Sequence, residues 1–247
     1  MDVTLFTLVP IGIVVGFISG FFGIGGGTIV VPVMLAFGYN IKTAIGISIM
    51  QMLFGAIFGS VMNYKNGLLK LDRGLYIGLG GFAGASLSGY IISIAPEIVL
   101  ECVLLGIFFF SIFRLYFSPE RAGVENGSNL LLFLIGFFSA AIALSVGIGG
   151  AVFITPILVG FLGFDMKKAI SMGVFFVMLA SLSCFISLAY YKHVEYLEGS
   201  LLGLGALVGV YFGTKMTYKT DKKTLKKWFL LLYGVMICLM LKKIFLG

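Results

Sequence analysis

Side chains capable of acid–base, nucleophilic or metal chemistry are scarce in this sequence. Its one histidine, His193, stands near Glu195 and Glu198 in a polar stretch and reads as a solvated loop residue. The three cysteines, Cys102, Cys184 and Cys238, lie inside apolar runs, with no spacing for zinc, a redox pair or a disulfide framework. No Ser–His, paired-Asp or metal-ligand arrangement occurs in those runs, so neither an enzyme nor a cofactor is expected. The chemistry on offer is that of the backbone. GIGGGTIVVP at 23–32 and GIGGAVFITP at 147–156 are two versions of one motif. Glycine permits positive φ and close approach. A helix starting abruptly after it leaves several N–H groups without intrahelical partners. Its N-terminus also carries about half a positive charge. Two such starts, arriving from opposite sides, would bind an anion without lysine or arginine. The expected binding groups are Gly25, Gly26, Gly27 and Thr28 in the first copy and Gly149, Gly150, Ala151 and Val152 in the second.

Neutral polar side chains follow each motif. Ser48 and Gln51 are three apart and share a helix face. Ser171 lies near the start of the corresponding later segment, with Ser181 and Ser183 beyond it. A hydroxyl or an amide can donate to an oxyanion, or simply bond to neighbouring backbone. Gln51 is the sharper candidate, because an amide in apolar surroundings needs several partners. Glu101 is expected at a membrane interface, and Arg114 and Lys215 near helix ends with their charges reaching for water. The rows Gly12/Gly16/Gly20, Gly55/Gly59, Gly80/Gly84/Ser88 and Gly205/Gly209/Gly213 read as close helix packing.

These residues must be positioned by membrane-spanning elements. Of 247 residues, 60% are hydrophobic and 11% charged. Mean hydropathy is +1.13. Soluble domains carry about 45–50% apolar and about 25% charged residues. Soluble enzymes, nucleic-acid binders and secreted disulfide scaffolds are therefore excluded, and the lipid bilayer is the first partner. A spanning helix needs about 20 apolar residues. That ruler gives segments at 5–22, 28–38, 43–62, 74–94 and 98–117, then 130–146, 151–163, 169–190, 199–217 and 228–246. The segments at 28–38 and 151–163 are too short to cross comfortably. The runs are continuous rather than alternating, which excludes a β-barrel. The Met1-Asp2 flank lacks the positive charge of a cleavable signal.

The chain reads as an internal duplication. After the glycine motifs, KTAI at 42–45 matches KKAI at 167–170. A Gly-Phe-x-Ser element precedes both motifs, from Gly16 and from Gly136. The polar stretch Ser118 to Asn129 is the best linker, dividing residues 1–123 from 124–247. Charge then orients the halves. If each short segment returns the chain to its starting side, Lys42, Lys192, Lys242 and Lys243 lie on one side and the other 13 of the 17 Lys and Arg on the opposite side. If the short segments do not cross, the split is 9 to 8. Cytoplasmic loops carry the Lys/Arg excess, which selects the first arrangement. The expected fold is an all-α polytopic membrane protein of two inverted-topology repeats. Each has a short broken or re-entrant segment after GIGG(G/A) and three long transmembrane helices. Both termini face outside, and 63–73, 118–129, 164–168 and 218–227 face the cytoplasm. The net charge of +7 is thereby a topology signal, not a nucleic-acid surface. Inverted repeats with interrupted segments at matching positions are a signature of secondary transporters, with substrate near the midplane.

The paired G-I-G-G-[GA] motifs, each followed by an apolar stretch and Pro and then by Lys-x-Ala-Ile, resemble the TauE/SafE family of membrane permeases, also called the toluene sulfonate uptake permease family. The resemblance covers nearly the whole chain. It implies transport of a small sulfur-containing anion such as sulfite, thiosulfate or an organosulfonate, with members differing in direction and substrate. It also fits a bacterial inner membrane. Ala151 departs from the pattern where the first copy has Gly27. An anion channel on the same scaffold is the second reading, and a homo-oligomer stays open.

Overall fold

The computed structural model describes residues 5–67, 69, 71–117 and 128–246. The expected boundary at 123/124, most of the linker, the Met1-Asp2 flank, Lys70 and Arg121 lie outside the described residues. The described residues form helices and no strand: α1 (Leu5–Phe22), α2 (Gly27–Ala36), α3 (Ile41–Lys65), α4 (Leu71–Ala85), α5 (Ser88–Ile94), α6 (Glu97–Tyr116), α7 (Asn129–Ala143), α8 (Ala151–Gly160), α9 (Met166–Tyr190), α10 (Tyr196–Lys219) and α11 (Lys222–Leu246). A single 3-10 turn, Leu144–Val146, extends α7.

Among the described residues, seven stretches are long and apolar enough to cross a membrane, with α4 and α5 counted as one. The apolar part of α1, Thr7–Phe22, and the helices α2 and α8 are shorter. The chain is a multi-pass helical membrane protein. One detail departs from the sequence reading: 74–94 is two helices, not one. The break between α4 and α5 is held by serines. Ser187 on α9 donates to Ser86 O at 2.8 Å and accepts from Gly89 N at 3.1 Å. Such partners are what allow a helix to break within lipid.

Helix starts follow the local sequence. Asn40 caps α3 by accepting from Thr43 N at 2.8 Å, and Asp165 caps α9 by accepting from Lys167 N at 3.0 Å. These two long helices lie at the centre, with 61% and 72% of their most apolar windows buried. Around them α1 packs on α10, α10 on α3, α4 on α7 and on α9, α2 on α3, α8 on α9, and α6 on α11, with α6 also touching α8 and α11 touching α2. Exchanging α1, α2, α3, α4 and α6 for α7, α8, α9, α10 and α11 maps this set of neighbours onto itself.

The glycine rows fix direction as well as distance. Gly12, Gly16 and Gly20 press on the backbones of Leu202, Ala206 and Val210 in that order, so α1 and α10 run parallel. Gly80 and Gly84 press on Phe133 and Phe137, so α4 and α7 also run parallel. In each case a carbonyl stands where a Cβ would be, a Cα–H···O approach worth about 0.5–1 kcal/mol. Gly199 and Gly203 on α10 meet Met50 and Phe54, which aligns α3 with the first pair. Gly74 and Gly81 on α4 meet Met172 and Phe176, which aligns α9 with the second. Between these groups the sense reverses. Gly59, late in α3, faces Val174, early in α9, while Gly46, early in α3, faces His193 just beyond the end of α9.

Candidate functional site

Each half-length helix begins at a glycine turn. Gly23, Gly25 and Gly147 have φ of 66°, 65° and 72°, which only glycine adopts without strain. In the first loop, Gly26 N donates to Ser19 Oγ at 2.7 Å and Gly27 N to Gly25 O, and α2 starts. In the second, Val152 N donates to Gly149 O at 3.2 Å as α8 starts. The N–H groups of Gly25, Thr28, Gly149, Gly150 and Ala151 have no acceptor among the described residues. Pro156 inside α8 leaves the Val152 carbonyl without its intrahelical donor. Ser111 on α6 supplies one at 3.2 Å.

The loops cross at the centre of the molecule. Gly23 and Gly25 rest on Ile170 and Val177 of α9. Gly147 and Gly149 rest on Ile45 and Met52 of α3, and Gly149 also faces the carbonyls of Ile24 and Gly25. Each loop is thus seated on the long helix of the opposite half. The glycine just before each short helix returns to its own half: a Cβ on Gly26 would overlap the Gln51 amide, and one on Gly150 would stand 2.7 Å from the Phe176 ring. The Ser48 hydroxyl donates to Gly147 O at 2.6 Å and pins the second loop to α3.

Among the expected site residues, the loop glycines, Thr28, Ser48, Gln51, Ala151 and Val152 come together here. Gln51 is fully buried, and neither Nε2 nor Oε1 has a partner among the described residues. Thr28 Oγ1 and Ser171 Oγ are also buried and unpartnered. Ser171 follows Ile170, on which Gly23 rests. Ser181 instead bonds its own helix at Met178 O, 3.3 Å. The Ala151 methyl fits because α9 offers Gly173 opposite it, where an added Cβ would stand 3.0 Å from that methyl; α3 offers Ser48 to Gly27 at the matching place. No cation, carboxylate or imidazole is among these contacts. The described residues contain no group of three His, Cys, Asp or Glu suited to a metal ion.

Ser19, Met52, Thr155, Phe176 and Val177 complete the surroundings and were not among the expected residues. The Gly-Phe-x-Ser element held the signal for Ser19. Thr155 Oγ1, buried and unpartnered, faces Gly173. Arg114 is more than a charge at a helix end: it donates to Gly160 O, the last carbonyl of α8, and stacks on Phe161 at 3.6 Å. His193 stands 3.1 Å from Ser93 Oγ and is not among the nearest neighbours of the loop glycines. Burial and then the charge of Lys42 lower its pKa.

Paired half-helices meeting over a buried, uncharged polar cluster, on a multi-pass helical frame, define the membrane-transporter class. The TauE/SafE sulfite exporter model matches residues 8–240, and the chain belongs to that family. Similar proteins include the probable membrane transporter protein YdhB of Bacillus subtilis, 28% identical over 85% of this chain and 89% of the relative. A probable membrane transporter protein of Sinorhizobium is 28% identical over 86% and 83%. One of Methanocaldococcus jannaschii is 24% identical over 95% and 94%.

Proposed function

We propose that this protein carries a small sulfur-containing anion, such as sulfite, thiosulfate or an organosulfonate, across a bacterial inner membrane. Substrate is held near the bilayer midplane between the Gly23–Gly27 and Gly147–Ala151 turns. The observation that carries this reading is the meeting of two half-helix starts with open N–H groups, the first of them, at Gly26, set against a buried Gln51 amide that has no partner among the described residues. Helix starts of this kind attract anions without side-chain cations. The family's description as sulfite exporters supports the substrate class.

The two halves act as inverted repeats with both termini outside. The reversal of sense between α3 and α9 supports this, as does the 13-to-4 charge split. Each long helix then exchanges its contacts with the opposite loop as the site opens to one side and the other. The test is flux in proteoliposomes holding the purified chain, with sulfite, thiosulfate and organosulfonates as substrates and sulfate as the comparison anion. Saturable uptake, accelerated by unlabelled substrate on the far side, is expected. Uptake without such exchange identifies a channel.

A further inference from the structure

Resting on the reading above, we infer that the species bound at the crossed loops carries one negative charge and also a hydrogen-bond donor of its own. It is a singly protonated oxyanion, or a sulfonate bearing an O–H or N–H.

The charge follows from what surrounds the loops. Among the described residues, the nearest neighbours of the loop glycines include no lysine, arginine or histidine side chain, so the positive potential comes from the N-termini of α2 and α8. Each contributes about half a unit charge, or roughly one in total. Doubling the ligand's charge doubles its attraction to those two ends. The cost of removing it from water rises with the square of charge, roughly fourfold. A dianion is therefore held less well here than a monoanion, so among the anions named above thiosulfate is disfavoured against hydrogensulfite or a sulfonate.

The donor follows from Gln51. Its amide needs acceptors for two N–H groups and a donor for its oxygen. Neither end has a partner, although the residue is fully buried against Gly26. A bare anion satisfies the N–H end and leaves the oxygen facing negative charge. A ligand with one O–H or N–H satisfies both ends. The Ser48 hydroxyl proton is already given to Gly147 O and supplies nothing to the amide. Thr28 and Ser171 bring further unpartnered hydroxyls, which serve as donor or acceptor.

Initial uptake into proteoliposomes tests this with pairs differing in a single property. 2-Hydroxyethanesulfonate should enter roughly tenfold faster than ethanesulfonate, the effect of one hydrogen bond to a buried partner. N-acetyl-2-aminoethanesulfonate, which has an N–H but no positive charge, is the N–H arm. For sulfite, the rate should follow the hydrogensulfite fraction as pH is lowered outside; this arm separates an inorganic substrate from a functionalised sulfonate. Sulfate should not enter. Gln51→Leu should bring 2-hydroxyethanesulfonate and ethanesulfonate to equal rates, whatever the absolute rate, since it removes the group that demands a donor. Folded recovery is read from a monodisperse peak in detergent, and Gln51→Met is the second variant if Leu folds poorly. If ethanesulfonate enters as fast as its hydroxylated counterpart, or sulfate as fast as either, anion transport stands and this inference is overturned. If folded protein carries none of these anions, the transport reading falls first and takes the inference with it.

Discussion

Gly26 looks onto the amide of Gln51, whereas Gly150, its counterpart, looks onto the ring of Phe176. The same contrast runs through the neighbouring positions. Ser48 and Met52 on α3 correspond to Gly173 and Val177 on α9, counting from the matched Lys-x-Ala-Ile. The two halves share their turns, their short helices and their crossed seating, yet the polar contacts cluster on the first. On the proposed reading, a duplicated frame supplies two helix ends, and divergence makes the first loop the ligand-reading side while the second keeps only the hydroxyls of Thr155 and Ser171 nearby.

The largest effect separating the two sides is expected at the paired glycines. Gly26→Ala drives a methyl into the Gln51 amide and should lower uptake at least roughly hundredfold, as for the loss of about two charge-assisted bonds. Gly150→Ala pushes only on the Phe176 ring and should stay within about tenfold. Both are scored as initial rate per folded molecule. Equal losses would break the comparison.

Next comes a stability effect with the opposite sign from usual. A buried amide without partners costs about 1–3 kcal/mol, so Gln51→Leu should raise resistance to thermal unfolding in detergent even as it alters selectivity. A clear loss of stability would mean the amide is a structural group. Ser48→Ala, which frees the Gly147 carbonyl, should destabilise by about 1 kcal/mol. Phe176→Leu, in the apolar half, should change the melting temperature without changing the preference among anions.

The smallest effect distinguishes the two capping residues. Asn40 is neutral, whereas Asp165 pairs with Lys222. Burial raises the Asp165 pKa, but its hydrogen bond to Lys222, bonds from Lys167 and Lys168 backbone and the lysine charge outweigh that and hold it below the ordinary value. Its stabilising contribution is therefore complete above the unfolded carboxyl pKa of about 3.9. It is lost as pH falls through the lower folded value. For so exposed a pair the contribution is under about 1 kcal/mol. Asp165→Asn should flatten the acid limb of the stability curve slightly, and Asn40→Ala should shift the whole curve without bending it.

Ten helical segments, two short helices and the glycine turns were legible because each depends on neighbours in sequence: length, hydropathy and a local motif. Gln51 was legible as an amide out of place. The partners were not. Ser48 meets Gly147 across 99 residues, and nothing in either stretch names the other. The α4–α5 break was hidden for a similar reason, since Ser187, a hundred-odd residues later, is what stabilises it. Ser19 was visible only as part of a repeated element whose spacing to the glycines differs between copies. Arg114 read as a snorkelling charge because its acceptor, the end of α8, is a tertiary neighbour.

The glycine face of α1 also sets a schedule for assembly. Gly20 on α1 accepts from Thr214 on α10, 194 residues further along the chain. At about 5–20 residues per second of synthesis, α1 waits on the order of ten to forty seconds before α10 exists. During that interval its small-residue row faces lipid or a temporary holder, while α4 and α7 are already able to dock. The first of the described helices is therefore among the last of them to be seated. Chain released before α10 emerges carries an uncovered glycine face into the membrane.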